Sequence, residues 1–324
     1  MDLTQFLAEW HDDSSTLLVH TSGSTGNPKP MLVEKRRMEA SAEITCRFLG
    51  LHRGGTALLC MTLDYIAGKM MVVRTLTQNM HLVSVAPVGH PLQHPLPTET
   101  IDLAAMVPLQ VWSTLQVAEE RQRLLQIRHL LIGGGAVSDE LAEALQDLPN
   151  YIWSTYGMTE TLSHIALRRL NGATRSDWYT PFDGVHVSLN DDGCLVIDAP
   201  AVHDGPLTTN DMAELKDGRF RILGRKDNVI CSGGIKVQTE EVERLLHPHL
   251  PAPFMITKAP DVKLGERIVL LTESSDLSAI RQICQQQLPK YWQPRQYIHV
   301  TNIPLTETGK PARAVALQIA NTHI

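Results

Sequence analysis

Apolar residues recur at two spacings along the chain, and these spacings predict alternating helices and strands. The first ten residues carry apolar side chains at the i, i+3, i+4, i+7 spacing of one helix face: Leu3, Phe6, Leu7 and Trp10. We therefore predict a short N-terminal helix that packs against the rest of the protein. The run Thr16–His20 predicts a strand, and a helical pattern from about residue 34 ends at Gly50.

Short apolar runs follow, with helical patterns between them. Four of these runs predict buried strands, at residues 56–61, 80–86, 102–107 and 128–132. Strands that alternate with helices indicate an α/β layered fold with a largely parallel sheet. From about residue 183 to 223 the pattern changes to short strands with turn-forming groups such as Asn190–Gly193 and Lys216–Gly218, which predicts a β-rich subdomain with hairpins.

A charged, glycine-bearing connector at residues 223–228 interrupts the β-rich region. We place a domain boundary there, giving a large N-terminal domain of residues 1–226 and a small C-terminal domain of residues 227–324. Helical and strand patterns alternate again in the last hundred residues, which favours an α+β C-terminal domain. The proline-rich segment 88–98, with His90 and His94, is interpreted as a surface loop.

Composition narrows the class of protein. With 43% hydrophobic and 20% charged residues in 324, the chain has the make-up of a soluble globular protein. The net charge of −6 argues against a general nucleic-acid binder, which usually carries a basic surface. The N-terminus has no cationic segment followed by an apolar run, and no apolar stretch approaches the roughly 20 residues of a membrane span.

The five cysteines stand far apart and lack the spacing of a metal site. We therefore expect reduced thiols, as in a cytoplasmic protein. The cysteines are Cys46, Cys60, Cys194, Cys231 and Cys284.

The segment at residues 21–29 carries the strongest local signal for chemistry. A predicted strand leads into a glycine- and hydroxyl-rich loop, Thr21-Ser22-Gly23-Ser24-Thr25-Gly26-Asn27-Pro28-Lys29, and a helix follows. Backbone N–H groups and hydroxyls in such a loop can surround a phosphate. The sequence after Gly26 is not that of a Walker A loop. A flexible Ser/Gly linker remains the alternative interpretation.

This loop and four later segments resemble, in the same order, the motifs of the adenylate-forming superfamily, which contains acyl-CoA synthetases, adenylation domains of peptide synthetases and luciferases. The resemblance runs from residue 21 to 313. The four later segments are Ser154-Thr155-Tyr156-Gly157-Met158-Thr159-Glu160, Thr208-Thr209-Asn210-Asp211, Gly224–Gly234 with Glu240–Glu243, and Pro304-Leu305-Thr306-Glu307-Thr308-Gly309-Lys310.

The resemblance implies an AMP-forming acid–CoA ligase that uses ATP, Mg²⁺ and coenzyme A. It implies that Glu160 holds Mg²⁺, which prefers oxygen ligands, and that Thr159 binds the α-phosphate. Lys310 is implied to be catalytic, because a fixed positive charge stabilises charge that develops between the carboxylate and the α-phosphate. The residues implied to bind ATP are the loop residues Thr21, Ser22, Gly23, Ser24, Thr25, Gly26 and Lys29, with Tyr156, Gly157, Asp211 and Arg225.

The second half-reaction transfers the acyl group to a thiol. The resemblance implies that the C-terminal domain is mobile and rotates at Asp227 between the two steps. Ser232, Gly233 and Gly234 would then face the site, where glycine lets a narrow pantetheine approach the backbone.

The sequence departs from the superfamily pattern in two ways. The phosphate loop begins about twenty residues from the first residue, whereas most relatives have a long preceding segment, so we expect part of the usual N-terminal domain to be absent. Partner subunits, as in a homo-oligomer, or a rearranged edge could cover the resulting gap. Asn210 replaces a glycine before Asp211, which is a mild change because Asn tolerates positive φ.

The substrate is indicated by two further segments, which resemble o-succinylbenzoate–CoA ligases of menaquinone synthesis. These are Leu63–Arg74 and Ala105–Gln110. Arg74 ends an otherwise apolar run and could pair with a second substrate carboxylate; the alternative is an arginine that extends to solvent from a helix end. Tyr65 stands where many relatives have His. Gly133, Gly134 and Gly135 are predicted to line the acyl pocket, or to form a tight strand-to-helix turn.

Other functions remain open at this point. The acid could be another aryl acid, a fatty acid or an amino acid, although no carrier domain follows in the sequence given. A protein that binds ATP or acyl-adenylate without turnover is the alternative from a different class. ATP–pyrophosphate exchange separates these readings, because a binding protein gives none.

Overall fold

The computed structural model describes residues 1–20, 30–306 and 311–322. The chain divides into two compact units. The first comprises residues 1–188, 196–207 and 215–221, and the second comprises residues 189–195, 208–214 and 222–324. The domain boundary at residues 226 and 227 stays a prediction.

The first unit begins with a helix and a two-stranded antiparallel sheet. Helix α1 (Leu3–His11) is capped by Asp2, whose side chain accepts from the backbone N–H of Gln5. The Gln5 side chain in turn accepts from the backbone N–H of Asp2. The predicted docking face is confirmed, since Phe6 and Trp10 are buried. Strands β1 (Thr16–His20) and β2 (Pro30–Glu34) pair with each other. Helix α2 (Lys35–Leu49) then ends, as predicted, at Gly50, which has φ +64°.

A seven-stranded sheet forms the centre of the first unit. Its strands are β3 (Thr56–Leu59), β4 (His81–Ser84), β5 (Ile101–Met106), β6 (Ile127–Ile132), β7 (Tyr151–Gly157), β8 (His164–Arg169) and β9 (Thr180–Pro181). The order is β4-β3-β5-β6-β7-β8-β9. Pairing is parallel from β4 to β7 and antiparallel from β7 to β9. The predicted α/β fold with a largely parallel sheet is therefore confirmed.

Helices and apolar side chains bury this sheet. The helices are α3 (Ile66–Thr77), α4 (Pro108–Leu115), α5 (Ala118–Leu124) and α6 (Asp139–Ala144). A continuous apolar cluster joins the parallel strands to the helices that follow them, and it includes Leu58, Met106, Val111 and Ile132. Such burial on both faces is what near-continuous apolar strands predict.

The segment 88–98 is a loop with mostly exposed residues, as expected, but part of it is anchored in the core. It contains no helix or strand, but Leu92 is fully buried in the apolar cluster. His90 Nδ1 lies 2.9 Å from the buried carboxylate of Glu120, and Arg123 donates to the Leu92 carbonyl. The prolines restrict the backbone, and these contacts hold the loop against α5. The local composition of the segment did not predict these contacts.

The predicted β-rich character of this region is confirmed, and its strands form a four-stranded sheet. Its strands are β10 (His186–Leu189), β11 (Cys194–Asp198), β12 (Leu207–Lys216) and β13 (Arg219–Arg225), in the order β10-β11-β12-β13. The two predicted turns both use positive φ, at Gly193 and at the pair Asp217-Gly218.

From residue 229 onward, the described residues of the second unit form a mixed sheet with three helices. The strands are β14 (Val229–Ser232), β15 (Ile235–Gln238), β16 (Phe254–Asp261), β17 (Gly265–Thr272) and β18 (Gln296–His299). The helices are α7 (Thr239–Leu246), α8 (Leu277–Gln287) and α9 (Arg313–Thr322). The pairs β14–β15, β14–β17 and β16–β17 are antiparallel, and β18 pairs with β17 in parallel. The expected α+β alternation is confirmed.

Two further expectations concern cysteines and membrane spans. All five cysteines are free; four are buried and Cys231 is exposed. Across residues 1–20, 30–306 and 311–322, no helix is both long enough and apolar enough to cross a bilayer.

His129, on β6, should make the stability of the protein depend on pH. Its ring stacks on Tyr151, its Nδ1 accepts from Trp153 Nε1 at 3.4 Å, and its buried Nε2 has no partner within residues 1–20, 30–306 and 311–322. Burial, followed by the charges of Arg128 and Arg169, lowers the pKa of His129 to about 4. The unfolded chain therefore takes up a proton first as pH falls below about 6.5, and this proton uptake destabilises the folded state.

We expect the free energy of unfolding to fall between pH 6.5 and about 4 less steeply in His129→Phe than in the wild type, because phenylalanine cannot titrate. Chemical denaturation at pH 7, 6, 5 and 4 measures this slope. The exposed His81→Phe serves as the matched control and should keep the wild-type slope. Equal slopes in all three proteins would show that His129 is not responsible.

Candidate active site

The turn between β7 and β8 carries the motif residues from Tyr156 to Glu160. The chain leaves β7 at Gly157, passes through a helical turn at Thr159–Thr161 and returns along β8. A β-carbon on Gly157 would fall well inside van der Waals contact of the Ser163 carbonyl oxygen and the His164 backbone. Only glycine lets the two strands approach this closely, so the motif glycine has a packing reason.

Thr161 holds this turn together. Its hydroxyl accepts from the Met158 N–H at 3.0 Å and lies 2.8 Å from the Ser163 carbonyl oxygen. Leu162, which follows, is buried with φ +63°, a left-handed conformation that is costly for a branched apolar residue. The turn is therefore held in shape by its own hydrogen bonds and by burial of Leu162.

Tyr156 belongs to an aromatic cluster. Its ring centroid lies 5.0 Å from Phe220 and 5.7 Å from Tyr179, and Tyr179 stacks on Phe220. The Tyr179 hydroxyl is hydrogen-bonded to Ser154 on β7. Tyr156 itself is only partly buried, so part of its surface remains for a further aromatic ring, such as the adenine that the resemblance implies.

Thr159 and Glu160 lie next to each other but in different environments. Thr159 is buried, whereas the Glu160 side chain is exposed at the tip of the turn. Among residues 1–20, 30–306 and 311–322, no hydrogen bond or ion pair occupies the Glu160 carboxylate. A single carboxylate of this kind suits Mg²⁺, which usually takes one or two protein carboxylates and completes its shell with water and phosphate.

Arg74 is the least expected feature of the first unit. It lies in the last turn of α3 and is only 2% exposed, which rules out an arginine that extends to solvent. Nη2 donates to Ser163 Oγ at 2.5 Å, Nη1 lies 3.9 Å from Met71 Sδ, and the buried Nε has no partner among the described residues. Burial lowers the pKa of Arg74 only to about 10, so the guanidinium is charged at neutral pH.

No carboxylate in the described part of the chain lies within ion-pair distance of Arg74. Burying a charge without an opposite charge is strongly unfavourable. Sequence reasoning singled out Arg74 but missed the polar residues beside it, Ser163 and His164, and the contact from His164 to Thr45 on α2. The sequence signal for Ser163 and His164 was weak: they are two polar residues shortly after the motif that ends at Glu160.

The other predicted acyl-pocket residues follow the parallel strands β3 and β6 along the chain. Tyr65 precedes α3 and is half-buried. Gly133 lies against Thr155 of β7, and Gly134 and Gly135 lie against Val107 and Pro108 at the start of α4, with Gly134 at φ +78°. The three glycines begin the six-residue connection between β6, which ends at Ile132, and α6, which begins at Asp139. Their role in an acyl pocket stays a prediction.

The predicted residues of the second unit are joined by charged contacts. Arg225 Nη1 lies 3.4 Å from Asp211 and Nη2 lies 3.2 Å from Asp227. Asn210, the residue that replaces glycine, donates to Asp227 at 3.2 Å. Arg225 thus connects the predicted ribose carboxylate with the predicted hinge residue. These pairs are partly exposed, so each contributes little to stability.

Ser232, Gly233 and Gly234 form the hairpin between β14 and β15. Gly233 and Gly234 have φ +60° and +81°, as a tight two-residue turn requires. The phosphate-loop residues Thr21–Lys29 and the segment from Glu307 to Lys310 lie outside the described residues. Their roles stay predictions.

Comparison with known proteins identifies the family. A sequence profile of the AMP-binding enzymes matches residues 4–201. A 2-succinylbenzoate–CoA ligase of Bacillus mycoides is 24% identical over 94% of this chain and 70% of its own length. This chain therefore spans about two thirds of that relative.

Solved structures agree with this assignment. An AMP-forming acyl-CoA synthetase/AMP-acid ligase II-like protein from Dyadobacter fermentans is 33% identical, with a TM-score of 0.66, over 97% of this chain and 92% of its own. The o-succinylbenzoate coenzyme A synthetase from Bacillus subtilis, solved with ATP and magnesium, has the same fold at 22% identity, with a TM-score of 0.76 over 92% of this chain and 68% of its own. The chain belongs to the AMP-binding enzyme family.

Proposed function

We propose that this protein is an ATP-dependent, AMP-forming acid–CoA ligase whose acid carries a second carboxylate, with o-succinylbenzoate as the first candidate. Family membership and the named 2-succinylbenzoate–CoA ligase relative support the ligase. The observation that carries the choice of acid is the buried guanidinium of Arg74, which lacks a carboxylate among the described residues.

A dicarboxylic acid would supply the missing charge. One carboxylate would be activated, and the other would pair with Arg74. Its Nε, which no described residue contacts by a hydrogen bond, and its remaining Nη protons match carboxylate oxygens. In a dry environment such a pair is strong once it forms, and a monocarboxylic acid would leave the guanidinium unpaired. Selectivity for the second carboxylate follows.

The ATP-binding roles are proposed for the side chains of each unit separately. In the first unit, Tyr156 would stack on adenine, the hydroxyl of Thr159 would bond the α-phosphate, and Glu160 would hold Mg²⁺. In the second unit, Asp211 would accept from the ribose hydroxyls, next to Arg225. When bound, Mg²⁺ would neutralise phosphate charge and orient the phosphates.

The reaction would proceed in two balanced steps. The acid carboxylate attacks the α-phosphorus of ATP and pyrophosphate leaves, which gives the acyl-adenylate; Lys310 would stabilise the charge that develops. The thiolate of coenzyme A then attacks the acyl carbon and AMP leaves. Gly233 and Gly234 present bare backbone that would accommodate the pantetheine arm.

The setting of the protein is also a proposal. Five free cysteines are consistent with a reducing cytoplasm. Leu18 and Leu32, a cross-strand pair of β1 and β2, expose apolar surface, which is compatible with a homo-oligomer; its existence stays a prediction.

Pyrophosphate release with ATP and Mg²⁺ tests the function. The panel would contain o-succinylbenzoate, benzoate, a medium-chain fatty acid and several amino acids, each with and without coenzyme A. We expect turnover on o-succinylbenzoate. Turnover on a monocarboxylic acid alone would retain the ligase and discard the role of Arg74, and ATP binding without any turnover would favour a non-catalytic protein.

The variant Arg74→Met separates anchoring from packing. Methionine fills similar space without charge, so the free energy of unfolding should stay equal or rise. KM for o-succinylbenzoate should increase roughly 10- to 100-fold, as the loss of charge-assisted hydrogen bonds predicts. KM for a monocarboxylic analogue should not change.

The control for Arg74→Met is the exposed Arg53→Met, which should behave as wild type. If Arg74→Met destabilised the protein and raised KM for both kinds of acid equally, Arg74 would be a structural residue.

A further inference from the structure

A chain of hydrogen bonds links Arg74 to helix α2, and its protons can be assigned in sequence. Thr45 Oγ1 lies 3.0 Å from the carbonyl oxygen of Ser41, and a carbonyl can only accept, so the single hydroxyl proton of Thr45 is donated there. The same oxygen lies 3.1 Å from His164 Nε2. Because Thr45 has no second proton, Nε2 must donate.

The assignment continues through the imidazole to the guanidinium. A neutral imidazole has one N–H, so a donating Nε2 leaves Nδ1 as an acceptor. Ser163 Oγ, 3.2 Å from Nδ1, therefore donates its proton to the ring. Its lone pairs remain for Arg74, whose Nη2 donates to it at 2.5 Å.

The surroundings keep the imidazole in this state. Burial, together with the charge of Arg74, lowers the pKa of His164 well below its ordinary value. Thr45 is fully buried on α2, so water does not compete for its hydroxyl. A protonated imidazole would require both ring nitrogens to donate and would add a second cation beside Arg74.

We propose that Thr45 and His164 are positioning residues, which fix Ser163 as an acceptor and thereby set the guanidinium of Arg74 for the second carboxylate of the acid. This rests on the proposed function, in which Arg74 is the anchor. Ser163 holds Nη2, while Nε, which has no partner in the part of the chain that the structure describes, is left for the acid. Selectivity for dicarboxylic acids is thus determined partly from α2, a helix that the acid does not need to touch. Small displacements of a positioning group are costly for binding geometry.

The test uses Thr45→Val, which keeps the shape of the side chain and removes the hydroxyl, and Thr45→Ser, which keeps the hydroxyl. We expect Thr45→Val to raise KM for o-succinylbenzoate roughly 3- to 10-fold, the range that one hydrogen bond supplies. KM for ATP and for a monocarboxylic analogue should be unchanged in Thr45→Val. The Thr45→Ser variant should have the wild-type KM for o-succinylbenzoate. If Thr45 had only a structural role, Thr45→Val would lower the stability and the active fraction of the protein. It would not raise KM for o-succinylbenzoate selectively.

The double variant with Arg74→Met identifies which proposal fails, if one does. Thr45→Val should have no further effect on KM once Arg74 is methionine, because the two residues act together. If Arg74→Met raises KM but Thr45→Val does not, or if their effects simply multiply, positioning from α2 is overturned and the anchor stands. If Arg74→Met itself leaves KM unchanged, the anchor is wrong and positioning is overturned with it. Should Thr45→Val fail to fold, Ser163→Ala takes its place with the same expectations.

Discussion

Lys310→Ala is expected to lower ATP–pyrophosphate exchange by about 10²- to 10³-fold, the effect of removing one electrostatic contact to a developing charge. The residues described before and after this segment make specific contacts. Leu305 pairs with Pro311, and the N–H of Ala312 donates to the Pro304 carbonyl at 2.9 Å. Arg313 forms a bidentate ion pair with Glu243 of α7, in which Nη1 donates to Oε1 and Nη2 donates to Oε2, each at 2.6 Å. Exchange of labelled pyrophosphate into ATP measures the effect.

The thiol step provides the internal comparison for Lys310→Ala. If the lysine serves adenylate formation alone, thioester formation from a supplied acyl-adenylate should proceed at the wild-type rate. Lys263→Ala, at an exposed lysine in the turn between β16 and β17, should exchange normally. Wild-type exchange in Lys310→Ala would remove the residue from the mechanism.

The fold could be predicted largely because its signals are local. The strands at β3, β5 and β6 are short apolar runs, and Gly50 ends α2 through its left-handed backbone, a requirement visible in one residue. The reversal from parallel to antiparallel pairing at β7–β8 was not predicted. Pairing direction depends on how the connecting segment crosses the sheet, and the turn at residues 158–163 is too short for a parallel crossover.

The site divides in the same way. Tyr156, Thr159 and Glu160 belong to one short motif, so the sequence could nominate them together. Thr45 and His164 are 119 positions apart, and no periodicity connects a helix threonine with a strand histidine. Arg74 was nominated because a charge ended an apolar run, but its complete burial depends on packing from distant elements. Long-range polar contacts of this kind are specified by the folded structure.

Gly157→Ala is expected to be among the most damaging single substitutions in the first unit. The added methyl would overlap the Ser163 carbonyl and the His164 backbone, and neither can rotate away as a side chain would. The overlap should cost about 1–3 kcal/mol or more in the free energy of unfolding. It should also shift Tyr156 and Glu160, which flank the glycine, so adenylation should fall even in the folded fraction.

Gly89→Ala is the matched control for Gly157→Ala, because a methyl group there meets nothing within 4 Å and the backbone does not have the left-handed φ. Its stability should be unchanged or slightly higher, since alanine restricts the unfolded chain. Chemical denaturation and pyrophosphate exchange per folded molecule measure the two effects separately. Gly157→Ala with wild-type stability would mean that the β7–β8 turn can open without cost. Pyrophosphate exchange would then show what the close approach at Gly157 does. If exchange were lost while stability stayed at the wild-type value, the shape of the turn would be needed for catalysis and not for folding.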